Sequence, residues 1–177
     1  MAKSRLLLKM FAAAAVLVGG VARAEVTDTS VKAAFLPRFA HYVTWPITAT
    51  PKGNDPFVLC VIGDDPFGAQ LDEAARSQSI DGRKIVVRRL SSASGAASCQ
   101  IAFVDGTDVH PASQILAALG HAPVLTVTDA GAAEGRGIIQ FAVVGGRVRF
   151  FIDQRAAGQR GLSISSRLLA LAIGVKQ

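Results

Sequence analysis

Between Phe57 and Thr128 the chain alternates short apolar runs with turns and with segments of helical periodicity, and this restricts the fold more than any other feature. The runs are Phe57–Ile62, Lys84–Arg89, Gln100–Val104 and Val124–Thr128. Between them, Phe67–Arg76 and Pro111–Leu119 repeat apolar residues at three- and four-residue steps and read as helices. Gly63-Asp64-Asp65-Pro66 is a turn in which Asp65 can cap the next helix and Pro66 suits its first position. Asp81-Gly82 is a second turn. Such alternation predicts a single-domain α/β fold, a mostly parallel sheet flanked by helices. The runs lack clean polar–apolar alternation, as befits strands buried on both faces. A flavodoxin-like strand order is expected.

The two ends differ from this middle. Residues 28–44 read as a helix capped by Thr27 or Asp28, kinked at Pro37 and ended by Trp45-Pro46. Near the other end, Gly137–Val143 and Arg147–Ile152 flank Val144-Gly145-Gly146-Arg147, an antiparallel hairpin signal. Gln154–Gln159 reads as a short helix, and Ser165 or Ser166 caps a last helix over Arg167–Val175. Phe150 and Phe151 are adjacent, so in a strand they point to opposite faces. Either helices cover both faces, or one ring belongs to an exposed apolar patch for a partner.

The first 24 residues read as a signal peptide cleaved after Ala24. Lys3, Arg5 and Lys9 precede the apolar run Met10–Val18, and Ala22-Arg23-Ala24 is a small-x-small cleavage site. The run is about half the roughly 20 residues that a membrane-spanning helix needs. Residues 25–177 then form the mature domain. Four of the 19 basic residues and no acid lie in 1–24, so 15 basic against 13 acidic residues leave +2 of the formal +6. That is no persistent basic footprint, and nucleic acid is not expected as a partner. Export exposes the two cysteines, Cys60 and Cys99, to an oxidising compartment and predicts a disulfide. It would close a loop of about 40 residues, worth about 4 kcal/mol in chain entropy. Strands 57–62 and 100–104 as neighbours about 4.8 Å apart would bring the cysteines within reach, although Cys60 is mid-strand and Cys99 precedes its strand.

Residues suited to catalysis are scattered. Asp64, Asp65, Asp105, Asp108 and Asp129 fall just past strand ends. Together they could hold Mg²⁺ and serve a hydrolase, or Asp64, Asp105 and Asp129 could form a small-ligand site at the carboxyl edge of the sheet. The simpler reading is turn and cap residues. His41, His110 and His121 have no ligand spacing, and no serine lies in Gly-x-Ser-x-Gly. Gly135-Arg136-Gly137 lacks the Lys-Ser/Thr of a phosphate loop. No catalytic residue, metal or cofactor is indicated.

Five segments in order resemble the YfiR-like family: Lys32–Phe39 through Val43-Thr44-Trp45-Pro46; Cys60–Gly68; Leu125–Asp129 with Gly137–Ile139; Val148–Asp153; and Gly161–Leu169. The resemblance implies a periplasmic protein without catalytic activity. It implies repression of an inner-membrane sensor and diguanylate cyclase by direct contact with the cyclase's periplasmic domain, which lowers cyclic di-GMP and biofilm formation. It also implies sequestration by a peptidoglycan-associated outer-membrane lipoprotein, and a homodimer as an accessible state. The expected contact surface is 130–155, with Gln140, Phe151, Asp153 and Arg155 as partner-binding residues. Two departures stand out. Pro37 replaces an aromatic or polar helical residue, and the family's second disulfide has no counterpart, since Glu134 and Phe141 stand in its region.

Overall fold

The computed structural model describes residues 27–107, 109–130 and 135–177. The expected signal peptide, an Asp108 cap and the position of Glu134 lie outside these residues. In chain order the elements are α1 (Asp28–Phe39), a single 3₁₀ turn (Ala40–Tyr42), β1 (Val43–Thr44), β2 (Phe57–Gly63), α2 (Ala69–Arg76), β3 (Ser79–Ile80) and β4 (Arg83–Leu90). A second 3₁₀ turn (Ala96–Ser98) precedes β5 (Ile101–Asp105), α3 (Ala112–Leu119), β6 (Leu125–Asp129) and β7 (Ile139–Val144). The chain continues through β8 (Arg147–Asp153), α4 (Gln154–Gln159), β9 (Ser163–Ile164), α5 (Ser166–Leu169) and β10 (Gly174–Lys176).

Eight strands make one sheet in the order β10-β8-β7-β6-β5-β2-β4-β3, and β1 pairs with β9 apart from it. The central five, β4-β2-β5-β6-β7, are parallel. Taken in chain order they lie second, first, third, fourth, fifth, the flavodoxin arrangement. The β7–β8 pair is the antiparallel hairpin, closed by Gly145 and Gly146, both with positive φ.

Each face of the sheet carries its own core. On one face, Leu36 and Phe39 of α1 and Leu71 of α2 pack on Leu59, Val61, Phe103, Val127, Phe141 and Phe150. Phe35 and Phe39 set their rings 5.4–6.3 Å from those of Phe141 and Phe150, so α1 is anchored over the hairpin by an aromatic cluster. Each of the buried rings, Phe39, Phe141 and Phe150, contributes about 1.5–3 kcal/mol, and Phe35 is half-buried beside them. On the other face, α3 and the second 3₁₀ turn cover Cys60, Ile62, Ala102 and Val104. That second core stops at β6, where the inward residues are Thr126 and Thr128. Their hydroxyls accept from the amides of Ile138 and Gly137 at 3.0 Å and fix the entry to β7. Beyond them, Gln140 and Ala142 are half-buried, and Val144, Arg149 and Phe151 are exposed. Among the described residues, helices therefore do not cover both faces of the hairpin.

Two local expectations, both helix ends, are corrected, and the disulfide is located. The first helix ends at Phe39 and not near residue 44, because the 3₁₀ turn redirects the chain into β1 to pair with β9. The Cys60–Cys99 disulfide is present, with Cα atoms 5.9 Å apart, and β2 and β5 are neighbours, with Cys99 just ahead of β5. Cys60 is opposite Ala102 on β5, while Cys99 ends the 3₁₀ turn, so the bond ties β2 to that turn. The last helix stops at Leu169, capped by Ser165, and residues 174–176 leave it to form an edge strand beside β8. Ile173, Gly174 and Val175 are poor helix formers in succession, which accounts for the break.

Candidate functional site

The uncovered sheet face is built from β7, β8 and β10. Alternation along β8 sends Val148, Phe150 and Ile152 inward and Arg149, Phe151 and Asp153 outward. Phe151 is 41 % exposed although it has a strand on each side, β7 and the short edge strand β10. Its register partners are Gln140 on β7 and Gly174 on β10. A side chain at 174 would begin 2.9 Å from the Phe151 ring, so glycine there lets the ring lie over the edge strand. Arg136, Gln140, Phe151, Asp153, Val175 and Lys176 border a trough of about 720 Å³ on this face. An apolar centre with a mixed-charge rim is the usual anatomy of a protein contact.

Asp153 organises one end of the trough. Its side chain accepts from the Ala156 amide at 2.8 Å and caps α4, and it pairs with Lys176 at 2.9 Å. Burial alone would raise its pKa. The Ala156 amide, Lys176 and Arg155 outweigh that and hold the carboxyl below its ordinary value. Arg155 is exposed on α4 and does not line the trough, although its charge reaches Asp153. Thus Gln140, Phe151 and Asp153 come together, with Arg155 beside them. Residues 131–134 of the expected surface lie outside the described residues.

The carboxyl edge of the parallel strands is a separate place. Asp105 ends β5, Asp129 ends β6 and Asp64 follows β2. Burial chiefly, then Asp64 and Asp129, raise the pKa of Asp105, and Lys32 opposes them. Lys32 of α1 is ion-paired with Asp129. Gly63 sits so close to β5 that a Cβ would overlap the Asp105 carbonyl oxygen, which leaves little room between the strand ends. Asp65 instead accepts from the Phe67 and Gly68 amides and from Arg89. Among the described residues, no group of three or more His, Cys, Asp or Glu is placed to hold a metal ion.

The sequence profile of the YfiR/HmsC-like family matches residues 29–173, nearly all of the described chain. The chain belongs to the YfiR/HmsC-like family. No curated protein matches it. Among solved structures, one similar chain is a conserved domain protein from Vibrio cholerae O1 biovar El Tor strain N16961, with 17 % identity and a TM-score of 0.46. That likeness covers 67 % of this chain and 54 % of the other. Another is an ABC domain from Streptococcus pneumonia in complex with L-Trp, with 13 % identity, a TM-score of 0.49, and coverage of 81 % and 60 %. The chain thus spans little more than half the length of these two.

Within this YfiR/HmsC-like chain, the match ends at residue 173, one residue short of β10. Periodicity misses the trough residues Gly174 and Val175, because it places them in a terminal helix over Arg167–Val175, and Lys176 lies just beyond that span. A β-branched pair around a glycine was the available signal. Arg136, in the Gly135-Arg136-Gly137 segment that lacks a phosphate-loop signature, also borders the trough. The Pro37 departure is accommodated, since α1 contains Pro37 and ends two residues later. No described helix is long and apolar enough to cross a membrane.

Proposed function

We propose that this protein is a periplasmic regulator that represses a membrane diguanylate cyclase by touching the cyclase's periplasmic domain with the uncovered face of β7, β8 and β10. Family membership carries the regulatory part of the reading, since the YfiR/HmsC-like family implies periplasmic control of diguanylate cyclase signalling without catalysis. The exposed ring of Phe151 supports the choice of surface, because an aromatic on a flat sheet face beside polar Gln140 and Asp153 is a typical interface anchor. Export by cleavage after Ala24 belongs to the same reading. So do lipoprotein sequestration, which would compete for the protein, and homodimerisation.

Titration calorimetry with the purified periplasmic domain of a diguanylate cyclase from the same organism tests it. Unaltered protein is expected to bind, and Phe151→Ser to weaken binding at least tenfold, about 1.4 kcal/mol. Val86→Ser, at an equally exposed residue on β4, is expected to leave binding unchanged. Equal binding by the Phe151 and Val86 variants would count against this surface.

A further inference from the structure

The margin of the sheet opposite the trough is left open. The β3–β4 hairpin turns tightly at Asp81 and Gly82, both with positive φ, and β3 is two residues long. It pairs with Arg83 and Lys84 and stops. From Ile85 to Leu90, β4 is bonded to β2 on one side. On its other side no strand follows among the described residues, and no loop backbone bonds to it there. Along such a margin every second peptide group points outward and is free to pair with another strand.

The side chains of β4 decide what kind of strand fits. The strand carries Arg83, Lys84, Arg88 and Arg89 and no acid. Arg89 is paired with Asp65 and Asp72, and Arg83 donates to the carbonyls of Pro51 and Gly53. Lys84 and Arg88 have no acidic partner among the described residues, and Arg88 reaches the Ser98 hydroxyl at 3.4 Å. Alternation puts Lys84, Val86 and Arg88 on one face of the strand, and all three are exposed. A cation–apolar–cation row therefore runs beside the free peptide groups. The same cations disfavour a second copy of this margin, since antiparallel pairing of β4 with itself would oppose like charges.

We propose that β4 accepts an acidic, extended segment of a partner protein as an added strand. Its peptide groups pair with the free margin of β4. An acidic residue two positions to each side of an apolar one sets carboxylates against Lys84 and Arg88 and the apolar side chain against Val86. The pattern is symmetric, so it serves either strand direction. The inference is independent of the contact surface proposed above, which lies toward the other margin of the sheet.

The probe is the capped peptide Thr-Glu-Thr-Val-Thr-Glu-Thr, titrated into isotope-labelled protein and read by backbone amide NMR. Saturable shifts are expected at 85–90, with half-saturation at about 1 mM or below. The peptide with Gln for both Glu should bind at least tenfold more weakly. Two further peptides keep the charges and carry methyl groups on every second peptide nitrogen, one in each register. One of them should bind at least tenfold more weakly than the probe and the other should retain binding, because an added strand pairs through one of its sides. Lys84→Glu/Arg88→Glu should lose the acidic peptide and bind its Lys-for-Glu counterpart. The peptide comparisons use the unaltered protein, so they decide the matter even if the double variant fails to fold. Absence of saturation by about 10 mM probe, shifts confined to residues away from β4, equal binding of the Glu and Gln peptides, or equal binding of the two methylated peptides would each overturn the proposal.

Discussion

Phe150 and Phe151 are adjacent and have opposite roles. Phe150 is buried in the aromatic cluster under α1, and Phe151 stands on the uncovered face. Phe151→Ser should therefore cost little stability while removing the anchor, whereas Phe150→Ala should cost about 3–5 kcal/mol in chemical denaturation. The acids divide as sharply. Asp105 is raised by burial first and by Asp64 and Asp129 next, against Lys32. The folded state holds its proton more tightly than the unfolded chain, so this group's stabilisation is present at acid pH. It is lost as pH rises from the ordinary value of 3.8 through the folded value. Asp105→Asn should accordingly raise stability by roughly 0.5–1 kcal/mol at pH 7 and by nothing at about pH 3. Asp65 and Asp72 behave in the other sense. Burial raises Asp65, but the Phe67 amide, Arg89 and the Gly68 amide outweigh it; for Asp72 the hydrogen bond from Arg89 dominates. Both are lowered, so their contribution is present above 3.8 and disappears as pH falls below it. Arg89 is well exposed, so Arg89→Met should cost at most about 1 kcal/mol at pH 7, and the difference should vanish in acid.

The elements show why some of this was legible and some was not. Strands β2, β5 and β6 are readable because buried parallel strands are written as apolar runs between turns, whereas β4, with only Ile85 buried, is marked by its β-branched centre Ile85-Val86-Val87 after the Asp81-Gly82 turn. Asp65 was readable as a capping residue because the Asp-Pro turn chemistry is local, although the helix starts only after Gly68. Helix α1 was overextended because Tyr42 and Val43 keep the helical spacing while the pairing of β1 with β9 claims Val43. The uncovered face depends on where the second core stops, a consequence of α3 packing that no single segment encodes. Gln140, Phe151 and Asp153 could be named from a resemblance, but the edge strand that completes their trough could not. Strand β10 makes a direct expectation: backbone chemical shifts of 174–176 should be of the extended type, and truncation after Ile173 should increase amide exchange along β8. Helical shifts there would restore the terminal helix. The disulfide belongs to this scale too. Cys60 and Cys99 are buried, so both should resist thiol labelling until the protein is unfolded and reduced. Removing the bond by Cys60→Ala/Cys99→Ala should cost about 2–4 kcal/mol, read as a lower thermal midpoint.

At the scale of the whole sheet, the order is that of flavodoxin, and the described helices cover it incompletely. One face is closed from β4 to β8 by α1, α2 and the C-terminal elements, and the other only as far as β6. The same asymmetry leaves an apolar ring and a mixed-charge rim at one side of the sheet, which suits a protein that acts by contact. Hydrogen exchange of the complex with a diguanylate cyclase periplasmic domain tests this most directly. Slowed exchange should fall on 139–153 and 174–176, with α1 and α2 unchanged. Protection confined to the α1–α2 side, or no protection anywhere at saturating partner, would contradict it.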